Sequence, residues 1–470
     1  MKTILNRPYL ANPSLQRLLK LITELGGRAL LVGGCVRDHV LANTALDIDI
    51  EVYGLEAGLL EHALSAQFNV NAVGKAFGIF KVVVDGQSFD VALPRLENKA
   101  GTGHKGFIIS PNPYMSFAQA SLRRDFTINA MAIDVSSQEL HDPHGGLVHL
   151  EQKTLRHVSE AFIEDPLRVF RAAQFCARFD LTLDSETLTM CQKLKSELSS
   201  LSRERVYQEM KKLLLSPQPS IGLSTLKITQ AWELFPELVA LSGCAQDPSW
   251  HPEGDVWVHT LMVVDQAAKL VLKHQLSEED RLLVLAGALC HDLGKPITTI
   301  IKDGRIKSPG HEPAGIAPTK SFLSAIGYPK KWHEEIAALV AEHLKPFQLY
   351  AHRNEISDAA IRRLSTRVKI NLLLLVSEAD FLGRTTADAL AGCDPSSPWL
   401  REKVAELLKG QTKPTPILQG RHLLAAGFKP GVAMGPILAQ AFEAQLDGLF
   451  STEEEALAWL GDFINDTESE

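Results

Sequence analysis

The chain has 470 residues, 22% of them charged and 45% hydrophobic, which suits a soluble protein able to build two to four domain cores unaided. A formal net charge of −8 excludes whole-surface attraction to nucleic acid while leaving room for a local basic groove. No uninterrupted apolar run is long enough for a bilayer, the opening Met1–Pro8 stretch lacks the apolar core of a signal peptide, and the six cysteines never form C-x-x-C. A cytoplasmic protein with reduced thiols and no membrane partner is therefore expected, and Cys35 and Cys290 read as small packing residues.

In chain order, residues 14–26 predict an amphipathic helix closed by Gly26-Gly27. Leu30-Leu31-Val32 then reads as a strand running into Gly33-Gly34, with a helix after it carrying Arg37 and Asp38. Glycines have no Cβ, so a phosphate can approach the backbone closely at such a turn. The next strand holds Asp47-Ile48-Asp49-Ile50-Glu51. Side chains alternate across a strand, so Asp47 and Asp49 share a face and together can hold a pair of hard divalent cations such as Mg²⁺. Taken singly, a glycine pair is a tight turn and D-x-D a polar strand end; their order and closeness favour phosphoryl transfer.

A helix around Leu59–Ala66 precedes two β-rich runs, 79–84 and 88–93, joined by Asp85-Gly86 as a hairpin. If that hairpin neighbours the aspartate strand, Asp90 supplies a third carboxylate; otherwise it is a solvated strand position. The stretch Glu97–Pro113 has no periodic apolar pattern and reads as a mobile loop. Residues 121–134 fit one helix with Asp125 and Asn129 a turn apart. In that setting Arg124 can contact a phosphate, and Asp125 and Asn129 a ribose hydroxyl, unless the segment is simply a salt-bridged surface helix. Asp142–Gly146 is a turn closing the first domain.

From Thr154 the pattern becomes helical, with Pro166 near a helix start and acidic residues before it. Asp165 and Arg168, three apart, share a helix face on this reading. They form either an intrahelical salt bridge or a base reader. In the second case Asp165 accepts from the exocyclic amino group of cytosine or adenine, and Arg168 donates to the ring nitrogen. A helix with Arg203–Glu209 and a break at Ser216–Ser220 follow. Further on, His259, His291-Asp292 and Asp380 fall on three different predicted helices, with His311 and His343 between. Mixed imidazole and carboxylate ligands suit Mg²⁺ or a transition ion such as Ni²⁺, used to activate water against a phosphate ester. The tail predicts a helical hairpin and a last helix opened by a capping box at Ser451–Glu455.

Gly33-Gly34-Cys35-Val36-Arg37-Asp38 with Asp47-Ile48-Asp49, Arg123–Ala130, Glu164-Asp165-Pro166-Leu167-Arg168 and Glu204-Arg205-Val206 resemble, in order, the motifs of bacterial class II tRNA nucleotidyltransferases, the CCA-adding enzymes. The region His259–Asp380 resembles the HD phosphohydrolase domain fused to some of them. The resemblance implies an α+β protein: a nucleotidyltransferase head with a small mixed or antiparallel sheet at 1–146, a helical neck and body at 147–245, an HD domain at 246–390 and a helical tail at 391–470.

It also implies residue roles. Asp47 and Asp49, with Asp90 beside them, hold Mg²⁺; Gly33, Gly34, Arg37, Arg124, Asp125 and Asn129 meet the nucleotide; Asp165 and Arg168 choose its base. Arg171 falls at a triphosphate-contacting position, and Gln174 stands where a basic residue is expected. His259, His291, Asp292 and Asp380 ligate the HD metal, with His311 and His343 as second-site candidates. The implied activity is addition of C, C and A to tRNA from CTP and ATP, plus hydrolysis of 2′,3′-cyclic or 2′-phosphates at RNA ends. CC-only or A-only addition and poly(A) polymerisation remain alternatives within this chemistry. A nucleotide phosphohydrolase with an RNA-binding head is the alternative outside it. Homo-oligomerisation is left open.

Overall fold

The computed structural model describes residues 12–43, 47–74, 79–99, 107–408 and 413–468. It falls into two compact units, Met1–Leu213 with Ile221–Leu234, and Leu214–Ser220 with Phe235–Glu470.

The first unit opens with helix Pro13–Glu24, whose start is capped by the Asn12 side chain, which accepts from the amides of Ser14 and Leu15. Gly26, at φ 83°, ends it. Strands β1 (Arg28–Val32), β2 (Asp49–Tyr53), β3 (Asn69–Gly74), β4 (Ile79–Val84) and β5 (Gln87–Ala92) follow in sequence. Next come β6 (Arg95–Lys99), β7 (Phe107–Pro111), β8 (Ala132–Asp134) and β9 (Leu140–His141). Among the described residues, seven of these strands make one sheet in the order β3-β4-β5-β2-β1-β8-β9, in which only β2 and β5 run parallel. The β4–β5 hairpin turns at Asp85-Gly86, both at positive φ, as the Asp-Gly signal requires. Leu31, Ile50, Val52, Val82 and Val91 bury one face of this sheet, and Leu30 with Val32 and Tyr53 packs on the other.

Two expectations fail here. Strands β6 and β7 pair antiparallel from Arg95↔Pro111 to Lys99↔Phe107, so the described ends of Glu97–Pro113 form a ribbon rather than a loop; residues 100–106 lie outside the described residues. Nor is 121–134 one helix. A helix at Phe117–Ser121 stops there; Phe126 is extended and bridges His157, Thr127–Asn129 form one 3₁₀ turn, and β8 joins β1. Tertiary pairing overrides the local helical pattern, helped by the β-branched Thr127 and Ile128. After Gly146–Glu151 and short pieces, helix Leu167–Phe179 starts behind Pro166, and helices Arg203–Leu214 and Pro219–Ile228 flank the break at Ser216–Ser220.

The second unit is helical apart from a small hairpin, Ile300–Lys302 with Arg305–Lys307. Its centre packs helices Val256–Lys273, Glu278–Cys290, His333–Glu342 and Ile370–Leu382 against one another. Ile370–Leu382 is buried on nearly all sides, so its sequence shows no amphipathic period. The tail helices Gly420–Ala425, Met434–Asp447 and Glu453–Glu468 enclose Leu423, Ala441, Phe450 and Leu460, and Glu455 accepts from the Ser451 and Thr452 amides as a capping box does. No described helix is long and apolar enough to cross a membrane.

Candidate active sites

In the first unit, Asp49 opens β2 and is paired directly with Asp90 on β5. Parallel partners present their side chains to the same face; Asp47 lies ahead of β2 rather than on it, contrary to the strand expected over 47–51, but close enough for its charge to act on Asp49. Three carboxylates thus lie along one edge where β2 begins, Asp47 and Asp90 exposed and Asp49 half-buried. Burial chiefly pushes the Asp49 carboxyl above its ordinary range; Arg124 opposes this, while Asp90 and Asp47 add to it. An all-oxygen donor set whose members repel one another fits hard divalent cations.

Gly33 lies against this edge. Its φ of 75° belongs to glycine, and a Cβ there would stand 3.1 Å from Arg124 Nη1 and 3.5 Å from Asp49 Oδ2. Gly34 begins the following helix, Gly34–Val40. Glu51, on the same strand face as Asp49 and only 1% exposed, lies 3.2 Å from Arg123 Nη2 and 3.9 Å from Arg124 Nη2. Together with the Asn129 carbonyl, which accepts from Arg124 Nη1 at 3.3 Å, it holds Arg124 beside the turn. Sequence reasoning gave Glu51 no role, although its period-two position was a usable signal. Cys35 is buried, its Sγ 3.1 Å from the Val32 carbonyl, and burial pushes its thiol up to about 11.

Asp125 and Asn129 meet although no continuous helix joins them. Asn129 Nδ2 donates to Asp125 Oδ1 at 3.1 Å, because the 3₁₀ turn brings the two as close as a helical turn would. Arg171 Nε donates to Asp125 Oδ2 at 2.7 Å. Burial opposes the charge of Asp125, but Arg171 and Asn129 outweigh it and hold the carboxyl below its usual range. Arg37 is buried, donates to Asn129 Oδ1 at 2.6 Å and to Asp38, and lies over the Phe179 ring at 4.4 Å. Arg37 thus reaches the site through Asn129. Gln174 is buried and accepts from Arg178, one turn on, at 3.4 Å.

Asp165 and Arg168 do not share a helix face. Asp165 is extended, ahead of helix Leu167–Phe179, where it caps the Leu167 amide with Oδ1 and receives Arg205 at Oδ2, 2.7 Å away. Arg168 instead donates to the carbonyls of Ala161 and Arg123, each at 2.7 Å. The Arg168 amide still donates to the Asp165 carbonyl at 3.0 Å, but Pro166 disfavours helical backbone at the residue before it, and the extended Asp165 turns its side chain away from Arg168. Arg205, forty residues away in sequence, is the partner that sequence spacing could not supply.

The second unit gathers its imidazoles and carboxylates as a separate cluster. His259 Nε2 lies 3.1 Å from Asp380 Oδ1 and 4.0 Å from Asp292 Oδ2; His291 Nε2 lies 3.1 Å from Asp292 Oδ2. His311 Nε2 is 3.4 Å from both Asp292 Oδ1 and His343 Nε2. Thus His311 and His343 belong to the cluster, and each of the six residues is at least nine-tenths buried. His291, His311 and His343 each donate Nδ1–H to the carbonyl three residues earlier, at Ala288, Ser308 and Val340. His259 Nδ1 lies 2.8 Å from Glu253 Oε1. Every Nε2 therefore turns to one centre in the tautomer a metal requires.

Two groups, His259/His291/Asp380 and Asp292/His311/His343, each bring their ligand atoms within 4.8 Å of one another. His291 Nε2 and Asp292 Oδ1 are buried without a hydrogen-bond partner, as atoms reserved for a cation would be. Burial works against the charge of Asp292, but His291, Lys295 and His311 hold its carboxyl well below the usual range. Burial beside His291 pushes His343 down to about 3. Glu253 and Arg384, the latter 2.9 Å from Asp380 Oδ2, escaped sequence reasoning because neither sits at motif spacing.

The chain matches three family models: a Poly A polymerase head domain over residues 29–156, a probable RNA and SrmB-binding site of polymerase A over 180–241, and an HD domain over 256–384. It is 38% identical over 370 residues to the multifunctional CCA protein of Xylella fastidiosa strain 9a5c, covering 76% of this chain and 84% of that protein. With the multifunctional CCA protein of Xanthomonas campestris pv. campestris strain B100 it shares 37% identity over 424 residues, 87% of this chain and 96% of the relative. Its fold resembles that of the Bacillus stearothermophilus CCA-adding enzyme in complex with CTP, with a TM-score of 0.67 at 22% identity over 98% of this chain and 99% of that one. The Thermotoga maritima CCA-adding enzyme complexed with tRNA gives a TM-score of 0.60 at 20% identity, covering 97% of each chain.

Proposed function

The chain belongs to the family of multifunctional CCA proteins, and we propose that it adds C, C and A to the 3′ end of tRNA from CTP and ATP without a nucleic-acid template, and repairs RNA ends with its HD domain. The observation that carries the first activity is the carboxylate edge Asp47/Asp49/Asp90 beside the Gly33 turn.

Asp47 and Asp49 hold Mg²⁺, with Asp90 completing the acidic edge. Mg²⁺ at that position supplies activation of the RNA 3′-hydroxyl and neutralisation of charge on the departing pyrophosphate. The chain's own part is positioning. Gly33 leaves the backbone open to the triphosphate, Glu51 and the Asn129 carbonyl hold Arg124 beside it, and Asp125 with Asn129, braced by Arg37 and Arg171, receives the ribose. Asp165 and Arg168 select the base. Held by Arg205 and by carbonyls rather than by each other, the two keep fixed orientations, and a fixed acceptor and donor can replace a template strand.

In the second unit, His259, His291, Asp292 and Asp380 hold a divalent cation, Mg²⁺ or a transition ion such as Ni²⁺, and His311 with His343 offers a second position. Bound there, the cation supplies a water nucleophile for 2′,3′-cyclic or 2′-phosphate ends. To test the reading, tRNA lacking its 3′ end is incubated with each labelled nucleoside triphosphate and the product ends are sequenced. Ends reading CCA support it. Ends stopping at CC, gaining A alone or carrying A tracts assign one of the narrower activities, and unextended ends overturn nucleotidyl transfer altogether.

A further inference from the structure

The cavity at the imidazole–carboxylate cluster has two kinds of lining. Asp292, His343 and Asp380 supply its polar lining, while Trp250, Ile306 and Phe347 supply apolar lining. Trp250 lines the cavity and is 63% exposed, so its ring is open to a stacking partner. Metal ligation uses none of this apolar lining.

Ile306 belongs to the Ile300–Lys307 hairpin, where it is paired with Ile301. Paired residues share a face, so Ile301, 78% exposed, extends the apolar lining out of the cavity. The rest of the hairpin exposes Lys302, Arg305 and Lys307 against the single carboxylate of Asp303, in a chain whose overall charge is negative. At about 310 Å³, the cavity has room for one nucleotide and not for a strand. By the same alternation Lys302, Arg305 and Lys307 lie on the hairpin face opposite the Ile301–Ile306 strip, so a base stacked against Trp250 and the strip is followed by a phosphodiester backbone that crosses the hairpin edge to reach them.

We propose that Trp250 and the Ile301–Ile306 strip form a stacking slot for the terminal base of a single-stranded RNA 3′ end. The strand leaves over Lys302, Arg305 and Lys307, and its terminal phosphate is directed at the imidazole–carboxylate cluster. A free nucleotide would fill the cavity and leave Lys302 and Lys307, on the other face of the hairpin, without a role, which favours the RNA end. The slot rests on the HD reading only for what then happens to the phosphate.

Binding to the full-length protein tests it, measured by calorimetry with a hexaribonucleotide ending in a 3′-phosphate, the same oligomer with an abasic terminal ribose, and adenosine 3′-monophosphate. Trp250→Ala is expected to weaken the hexamer about tenfold and Trp250→Phe less than about threefold, with neither changing the abasic oligomer. Replacing Lys302, Arg305 and Lys307 together by glutamate should weaken the hexamer and flatten its salt dependence while leaving the mononucleotide unchanged. Equal hexamer affinity for wild type and Trp250→Ala, or an equal loss on the abasic oligomer, overturns the slot. An equal loss on the mononucleotide in the triple variant overturns the RNA strand. Should the wild-type protein fail to hydrolyse a 2′,3′-cyclic end while Trp250→Ala still weakens binding, the hydrolase reading falls and the slot stands.

Discussion

Gly33 and Gly34 read alike in the sequence, yet the structure predicts unequal responses to alanine. At Gly33 the backbone has φ 75° and ψ −132°, a region that L side chains avoid at a cost of about 2 kcal/mol. The new methyl would also stand 3.1 Å from Arg124 Nη1 and 3.5 Å from Asp49 Oδ2, so the guanidinium must retreat from the carboxylate edge. At Gly34 the nearest atom to a Cβ is Arg37 Nη2 at 3.6 Å, an ordinary contact, and the residue already lies in a helix. Gly33→Ala should therefore lower the midpoint of thermal unfolding by roughly 4–8 °C. Because misplacing a positioning group by even a fraction of an ångström is costly, it should also slow incorporation of labelled CTP by about tenfold or more. Gly34→Ala should change stability by less than about 0.5 kcal/mol. Thermal melts of both variants, with incorporation measured on a tRNA lacking its 3′ end, make the comparison. A Gly33→Ala protein as stable and active as wild type, or a Gly34→Ala protein equally damaged in stability, refutes the reasoning.

Arg171→Met removes the main partner of buried Asp125 and should destabilise the first unit by on the order of 3 kcal/mol in denaturant titration, with Asp125→Asn in the same chain recovering part of the loss. Since the Asp125 carboxyl is held below its unfolded value, its stabilisation is present above about pH 4 and fades as pH falls through the lowered folded value, a dependence that Asp125→Asn should remove. Arg205→Ala frees Asp165 Oδ2 and should raise incorporation of UTP or GTP relative to CTP and ATP in competition assays; unchanged selectivity would show that Arg205 does not orient the base reader. His291→Ala should abolish release of phosphate from 2′,3′-cyclic RNA ends and leave nucleotide addition intact, because the head has its own carboxylate edge.

What the sequence revealed and what it hid divide along the range of the interactions. The turn at Asp85-Gly86 and the helix start behind Pro166 are set by backbone preferences of a few neighbouring residues, so they were legible locally. The approach of Asp90 to Asp49 depends on strand register across forty-one positions, so the sequence allowed two readings and the β2–β5 pairing decided between them. The failure at 121–134 is instructive because the Asp125–Asn129 contact nonetheless forms. A four-residue offset fits both an α-turn and a 3₁₀ turn, and the bridge from Phe126 to His157 selects the second. The cations Arg362, Arg363, Arg367 and Lys369, close together in the sequence, are engaged within the fold. Arg363 meets Glu443 and Asp447, Arg367 meets Glu342, Lys369 meets Glu335, and Arg362 donates to the Leu446 carbonyl. Arg205 on Asp165 and Glu253 on His259 escaped notice because neither motif spacing nor periodicity marks a long-range partner.

The central claim is that the edge formed by Asp47, Asp49 and Asp90 performs nucleotidyl transfer. Its most direct test is incorporation of labelled CTP and ATP into tRNA lacking its 3′ end by wild type and Asp49→Ala, beside tRNA affinity for both. The account predicts CCA ends from the wild type and no incorporation from the variant at near-unchanged tRNA affinity. Extension by Asp49→Ala at a rate comparable to wild type would contradict it.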